Sequence, residues 1–242
     1  MHKILKNEYD EFLLSYEKPC FRGLRVNTLK ISVDRFKSIF PYKISSSSFS
    51  FDNFYLVDEV ESIGTTPLHH AGAFYVQEPS ASSAVTILDV KPFDIVLDLC
   101  AAPGGKATQI ASRLNGEGLI WANEVISSRA RILLSNIERM GVRNSVVSSC
   151  HPGILCNKLK GFFDKILVDA PCSGEGMFRK NINSISEWSL EHVAACAKRQ
   201  LEILNSAAQA LKKDGTLVYS TCTFSVEENE NVVKDFLKLN ED

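Results

Sequence analysis

No stretch of 18 or more apolar residues occurs in the 242-residue chain, and a membrane-spanning helix needs about that length. The opening residues, Met1-His2-Lys3-Ile4-Leu5-Lys6-Asn7-Glu8, carry no apolar signal core, so neither membrane insertion nor secretion is expected and a cytosolic location is. Seven cysteines stand at 20, 100, 150, 156, 172, 196 and 222 without one Cys-x-x-Cys pair. That scatter fits neither a disulfide framework nor a zinc site, and points to reduced thiols and no metal. No Gly-x-Gly-x-x-Gly turn is present, which weighs against a nicotinamide-dependent dehydrogenase. Internal repeats are also lacking. The formal charge of −2 gives no global pull towards nucleic acid.

The charge is nevertheless uneven. Residues 1–43 hold nine Lys/Arg against five Asp/Glu, a net of +4, whereas residues 44–98 hold one lysine against eight acids, a net of −7. A basic N-terminal segment is compatible with a phosphate backbone, although an excess this small also suits an ordinary solvated surface. With 45% hydrophobic residues, the chain can bury one substantial core plus a small annex. From Asp94 onward, Val/Ile/Leu runs at 94–99, 118–123, 145–149, 164–169 and 216–221 read as strands buried on both faces of a parallel sheet. Helices are expected between them at 106–114, 128–140 and 190–212. The last of these carries a stripe of Val193, Ala197, Leu201, Leu204, Ala208 and Leu211 and ends at an Asp214-Gly215 turn. A further helix over 226–239 opens on Ser225-x-x-Glu228, the spacing of a capping box. Upstream the signal is weaker: helices near 8–16 and 33–40, a strand near 24–28, a loop at the Ser45–Ser48 run and a connector over 62–72. We therefore expect an α/β chain with a doubly wound, Rossmann-like sheet in residues 75–242 and a small α+β N-terminal domain in residues 1–74.

Three sites along the sheet can carry chemistry. The strand ending at Leu99 breaks into Cys100-Ala101-Ala102-Pro103-Gly104-Gly105-Lys106, which aims free backbone N–H groups into the crevice at the strand's carboxyl end. Glu124 stands at the end of the second strand, where acidic residues bind ribose hydroxyls; alternatively it is an exposed acid before a helix. Cys172, in Asp169-Ala170-Pro171-Cys172-Ser173-Gly174-Glu175-Gly176, and Cys222, in Ser220-Thr221-Cys222-Thr223-Phe224-Ser225, each follow a strand. Exits of a parallel sheet share one edge, so Asp169, Cys172 and Cys222 are expected to face the same crevice.

These segments resemble the signature motifs of the Nol/Nop/Sun family of RNA (cytosine-C5) methyltransferases. The run Asp169 to Lys180, through Met177-Phe178-Arg179, is similar to the RsmF-type bacterial rRNA branch in particular, and Leu24-Arg25-Val26-Asn27-Thr28-Leu29-Lys30 and Tyr75-Val76-Gln77-Glu78-Pro79-Ser80 extend the likeness over nearly the whole chain. The resemblance implies an S-adenosyl-L-methionine-dependent enzyme acting on RNA, ribosomal before transfer RNA, with neither metal nor membrane. By that resemblance Cys222 is the nucleophile, Asp169 holds N3 of the cytosine and Cys172 assists release of the enzyme. Cys100, Ala101, Ala102, Pro103, Gly104, Gly105, Lys106 and Asp169 hold the cofactor, Glu124 takes its ribose, and Arg129 lies nearby.

Two departures from the family pattern stand out. Cys150-His151 occupies the place where relatives carry an acid for the adenine amine, and the chain stops at Asp242, soon after its last expected helix. The usual antiparallel hairpin and the RNA-binding C-terminal region are then absent. This leads us to expect an open edge strand at 216–221, and a chain that binds cofactor better than it turns over RNA. Two other readings stay open: a non-catalytic RNA-binding or ribosome-assembly factor on the same fold, and a dehydrogenase.

Overall fold

The computed structural model describes residues 2–58, 60, 62–180 and 183–240. They form two compact units, one of residues 21–169 and 206–219, the other of residues 1–20, 170–205 and 220–242.

The larger unit holds two sheets. Strands β1 (Gly23–Val26), β2 (Ile44–Ser46), β3 (Asn53–Leu56) and β4 (Phe74–Val76) lie in the order β2-β3-β1-β4 and pair antiparallel throughout. The serine run is not wholly a loop as expected: Ser45 pairs with Tyr55 and Ser46 with Phe54. An edge strand needs only one paired side, and backbone pairing to β3 overrides the turn preference of serine. Phe36, Phe54, Phe74, Leu24 and Val26 close a core against this sheet. The connector over 62–72 contains a short helix, Pro67–His70, capped by the Thr66 hydroxyl.

The second sheet matches the expected doubly wound arrangement. Its strands are β5 (Ile95–Asp98), β6 (Leu119–Asn123), β7 (Ser145–Ser148), β8 (Phe163–Asp169) and β9 (Leu211–Ser220), in the order β7-β6-β5-β8-β9. β5 runs parallel to β6 and β8, and β6 parallel to β7. The order reverses at β5, so the crevice of the fold opens at its carboxyl end, where Asp98 gives way to the glycine turn. Val96, Leu97, Ile120 and Leu167 are fully buried, with Ile110, Leu114, Leu133 and Ile137 contributed by the helices Gly105–Leu114 and Ser127–Met140. Each such side chain contributes roughly 1.5–3 kcal/mol of burial. Among the described residues β9 has β8 as its one sheet neighbour. It starts at Leu211 rather than 216, and Asp214-Gly215 lies within it. A Cβ on Gly215 would come within 2.9 Å of Asp164 O, so glycine permits the close pass.

In the two later helices the sequence reading needs correction. Within Leu190–Ala210 the buried positions are Val193, Cys196, Gln200, Ile203, Leu204, Ala207 and Ala210, so Val193 and Leu204 of the expected stripe are buried, Ala197, Leu201 and Ala208 are half-buried beside them, and Leu211 already belongs to β9. Gln200 is the polar member of that face, its amide donating to Glu228 and to Pro171 O. The final helix runs Glu230–Leu239, four residues later than the capping box implied. Ser225 Oγ does accept from Glu228 N, at 3.4 Å, but the Glu228 carboxylate is engaged elsewhere.

Candidate active site

The crevice of the larger unit is a cavity of about 210 Å³, lined by Tyr75, Val76, Gln77, Asp98 and Asp169 together with Cys100, Ala101, Ala102, Pro103, Gly105 and Lys106 of the glycine turn. Gly104 makes the turn itself, at φ +115°, where a Cβ would also press on Leu133 Cδ1 at 3.3 Å. Lys106, at the head of its helix, bonds Asp169 at the end of β8 across 2.7 Å. The structure thus brings together the cofactor-loop residues and Asp169.

Glu124 and Arg129 stand beside this loop and outside the cavity lining. Glu124 Oε1 accepts from Ile126 N at 2.9 Å, Oε2 pairs with Arg129 at 3.2 Å, and Arg129 donates to Ala102 O at 3.1 Å. Cys150 is held through its backbone by the Asn123 amide, which donates to Cys150 O at 2.9 Å and accepts from Cys150 N at 3.1 Å. His151 caps the helix Pro152–Lys158 through Nδ1.

Asp98 was missed by the sequence reading, although an acid ending an apolar run before a glycine turn was a usable signal. It is fully buried, and neither carboxylate oxygen has a hydrogen-bond partner. Burial, and next the charge of Asp169, push its carboxyl up to about 8 from an ordinary 3.8. Between those values the folded chain keeps a proton that the unfolded chain has released, so this group's contribution to stability falls as pH rises through the window. Asp98→Asn removes that titration. Denaturant unfolding is expected to show the variant gaining stability relative to wild type between pH 5 and pH 8; a constant difference would contradict the shift. Burial, and then the carboxyls of Asp98, Glu124 and Asp169, push the Cys100 thiol up, so it stays protonated and is a wall of the crevice, not a nucleophile.

In the smaller unit the two other cysteines meet. Cys172 Sγ lies 3.2 Å from Cys222 Sγ and accepts from Cys222 N at 3.3 Å. Cys222 is exposed and Cys172 half-buried. The hydrogen bond to Cys222, and next burial, push the Cys172 thiol well up. Of the two sulfurs, Cys222 is the one open to solvent. Glu175 joins the two cysteine loops, accepting from Phe224 N at 3.0 Å and from Trp188 Nε1 at 3.1 Å, and Gly176 N donates to Cys222 O at 2.9 Å. Behind them Glu228, fully buried, accepts from Ser173 N at 3.0 Å, from Ser173 Oγ and from Gln200 Nε2 at 2.8 Å, and the same Gln200 Nε2 donates to Pro171 O at 3.0 Å. Glu228→Ala would strand those buried donors, and is expected to lower stability by about 3 kcal/mol, read as a shift of the denaturation midpoint.

The geometry defines a class: a doubly wound α/β protein with a cofactor crevice at the switch point of its sheet and a pair of adjacent thiols. The model of the family described as 16S rRNA methyltransferase RsmB/F matches residues 85–242, and that of the N-terminal domain of 16S rRNA methyltransferase RsmF matches residues 1–79. The chain belongs to the RsmB/F family of 16S rRNA methyltransferases. It is 42% identical over 230 residues to a Vibrio campbellii protein named ribosomal RNA small subunit methyltransferase F, covering 92% of this chain and 48% of the relative. The Vibrio cholerae protein of the same name is 41% identical over 242 residues, 96% of this chain and 51% of that protein. The chain therefore spans about half the length of these relatives. Among solved structures, a methyltransferase homolog protein from Pyrococcus horikoshii superposes with a TM-score of 0.79 at 36% identity, covering 92% of this chain and 71% of that one. NSun6 from the same organism shares the fold, with a TM-score of 0.84 at 24% identity over 97% of this chain and 84% of its own. Among the described residues no helix is long and apolar enough to cross a membrane, and no cluster of side chains could hold a metal ion.

Proposed function

We propose that this chain transfers a methyl group to C5 of a cytosine in small-subunit ribosomal RNA through a covalent adduct on Cys222. The single observation that carries this reading is the Cys172–Cys222 pair at 3.2 Å, in a member of a family of 16S rRNA methyltransferases. Methyl transfer to an exocyclic nitrogen or a ribose oxygen has no use for two adjacent thiols. C5 of cytosine does, because it is a poor nucleophile until a thiolate adds to C6.

The cofactor of the family is S-adenosylmethionine, which when bound supplies an electrophilic methyl group. The crevice suits it. The buried carboxyl of Asp98 has no hydrogen-bond partner and, raised by burial, would ionise against a cationic ligand group, and the turn at Gly104 leaves backbone N–H groups of the Gly105–Leu114 helix without intrahelical partners. A cavity of about 210 Å³ is below the ~300–1,000 Å³ of a whole small-molecule site, which fits one end of the cofactor, with the nucleoside lying towards Glu124. Glu124 has lone pairs left for ribose hydroxyls beyond its two present bonds, and Arg129 holds it in place.

Each catalytic residue then has one task. The Cys222 thiolate adds to C6, which makes C5 nucleophilic. Asp169, at the end of β8, acts here in its protonated form: it passes its proton to N3, which neutralises the negative charge that this addition places on the ring and leaves the carboxylate beside Lys106. C5 then takes the methyl group, its proton passes to a solvent base, and the C6–sulfur bond breaks with Cys222 leaving as a thiolate; Cys172, 3.2 Å from that sulfur, assists this elimination. Residues 1–74, with the basic excess of 1–43, face the RNA in this proposal. Incubating the protein with small-subunit ribosomal RNA and methyl-labelled S-adenosylmethionine, then digesting to nucleosides, should yield label in 5-methylcytidine. Label in N4-methylcytidine or a 2′-O-methyl nucleoside would contradict the reading.

A further inference from the structure

Arg25 was part of the resemblance yet was given no task. It sits in the middle of β1, fully buried, and its hydrogen-bond acceptors are all neutral. Nη2 donates to Thr108 Oγ1 at 2.7 Å and to Gly105 O at 3.1 Å, Nη1 to Ser112 Oγ at 3.5 Å, and Nε to Gln77 Oε1 at 3.2 Å. Burial lowers its pKa to about 10, which leaves it charged at neutral pH. The nearby acid, Asp52, is bonded to Arg113 at 2.9 Å. A buried cation thus stands behind the wall of the crevice, hydrogen-bonded only to neutral groups and sharing its nearby acid with Arg113, an arrangement that an anion at the site would favour.

Gln77 is where that charge reaches the cavity. Its Oε1 is taken by Arg25, and an amide so held cannot turn over without losing the bond, so Nε2 is the end left for a ligand. Among the described residues nothing accepts from Nε2. Nε2 lies against the glycine turn: a Cβ on Gly105 would meet it at 3.5 Å and Tyr75 Cε1 at 3.3 Å. The crevice therefore offers an amide donor backed by a buried guanidinium, together with the unpartnered carboxyl of Asp98. A ligand end that answers both is zwitterionic, an ammonium beside a carboxylate.

We propose that Gln77 binds the α-carboxylate of the methionine part of S-adenosylmethionine, and that Arg25 is the positioning residue that orients its amide. The proposal rests on the crevice being the cofactor site. Calorimetric titration separates the two ideas, using S-adenosylmethionine, S-adenosylhomocysteine and 5′-methylthioadenosine, which keeps the nucleoside and lacks the amino-acid end. A wild-type protein that binds neither of the first two would overturn the cofactor reading itself. Gln77→Ala is expected to bind both about tenfold more weakly, with 5′-methylthioadenosine changed by less than about twofold. Gln77→Glu should lose more, by setting charge against charge, and Arg25→Lys should repeat the selective loss, because it keeps the charge and gives up the Nε bond. Gln77 is half-buried, so its variants should melt with the wild type. Unchanged affinity in Gln77→Ala, or equal weakening of all three ligands, would overturn the proposal.

Discussion

Cys222→Ala is expected to abolish methyl transfer, with a loss of at least about 10³-fold, and Cys172→Ala to leave protein covalently attached to its RNA. The two effects differ in kind because the sulfurs, 3.2 Å apart, have different tasks in our proposal. The Cys172 thiol is half-buried and pushed up by its hydrogen bond to Cys222 and by burial, whereas Cys222 is the more exposed sulfur and in our proposal is the one that attacks. Without Cys222 no sulfur is left in position to open the ring; Cys172→Ala still permits addition but takes away the help that elimination needs. Denaturing gels of each variant with substrate RNA and S-adenosylmethionine read the difference directly. An adduct in Cys222→Ala, and none in Cys172→Ala, would reverse the assignment.

Asp169→Asn should be the next most damaging change, with kcat falling by about 10²–10⁴-fold and cofactor affinity by far less. The carboxyl has two relations: it is bonded to Lys106 across 2.7 Å, and in our proposal it meets N3 of the cytosine. An asparagine is similar in shape and can still accept from Lys106, but it cannot hand over a proton to the ring nitrogen. Single-turnover methylation set beside equilibrium cofactor binding separates the two relations. A large loss of binding with kcat intact would make Asp169 a cofactor residue alone.

Legibility in the sequence followed how local each signal was. The strand β5 and its turn were plain, because Ile95-Val96-Leu97 and Gly104-Gly105 state their conformations within a few residues. The thiol pair could also be anticipated, since each cysteine follows a strand in a recognisable motif. Interactions set by partners far along the chain were not visible. Glu228 has the spacing of a capping acid, yet its carboxylate serves Ser173 and Gln200, 55 and 28 residues away. Gln200 lay outside the expected apolar stripe for the same reason. Arg25, between Leu24 and Val26, alternates as a solvent-facing strand residue would, whereas all four positions of β1 are buried, because the helix Gly105–Leu114 supplies acceptors for its guanidinium. Buried polar side chains were therefore the least legible feature, because their partners lie far along the chain.

The central claim is a sulfur–carbon bond, and one measurement addresses it most directly. Small-subunit ribosomal RNA transcribed with 5-fluorocytidine blocks the final elimination, because the fluorine cannot leave C5 as a proton does. After incubation with S-adenosylmethionine and digestion of the trapped complex, mass spectrometry should find the modified nucleotide on the peptide containing Cys222. A nucleotide on Cys172 instead, or methylated RNA with no trapped protein at all, would contradict the account.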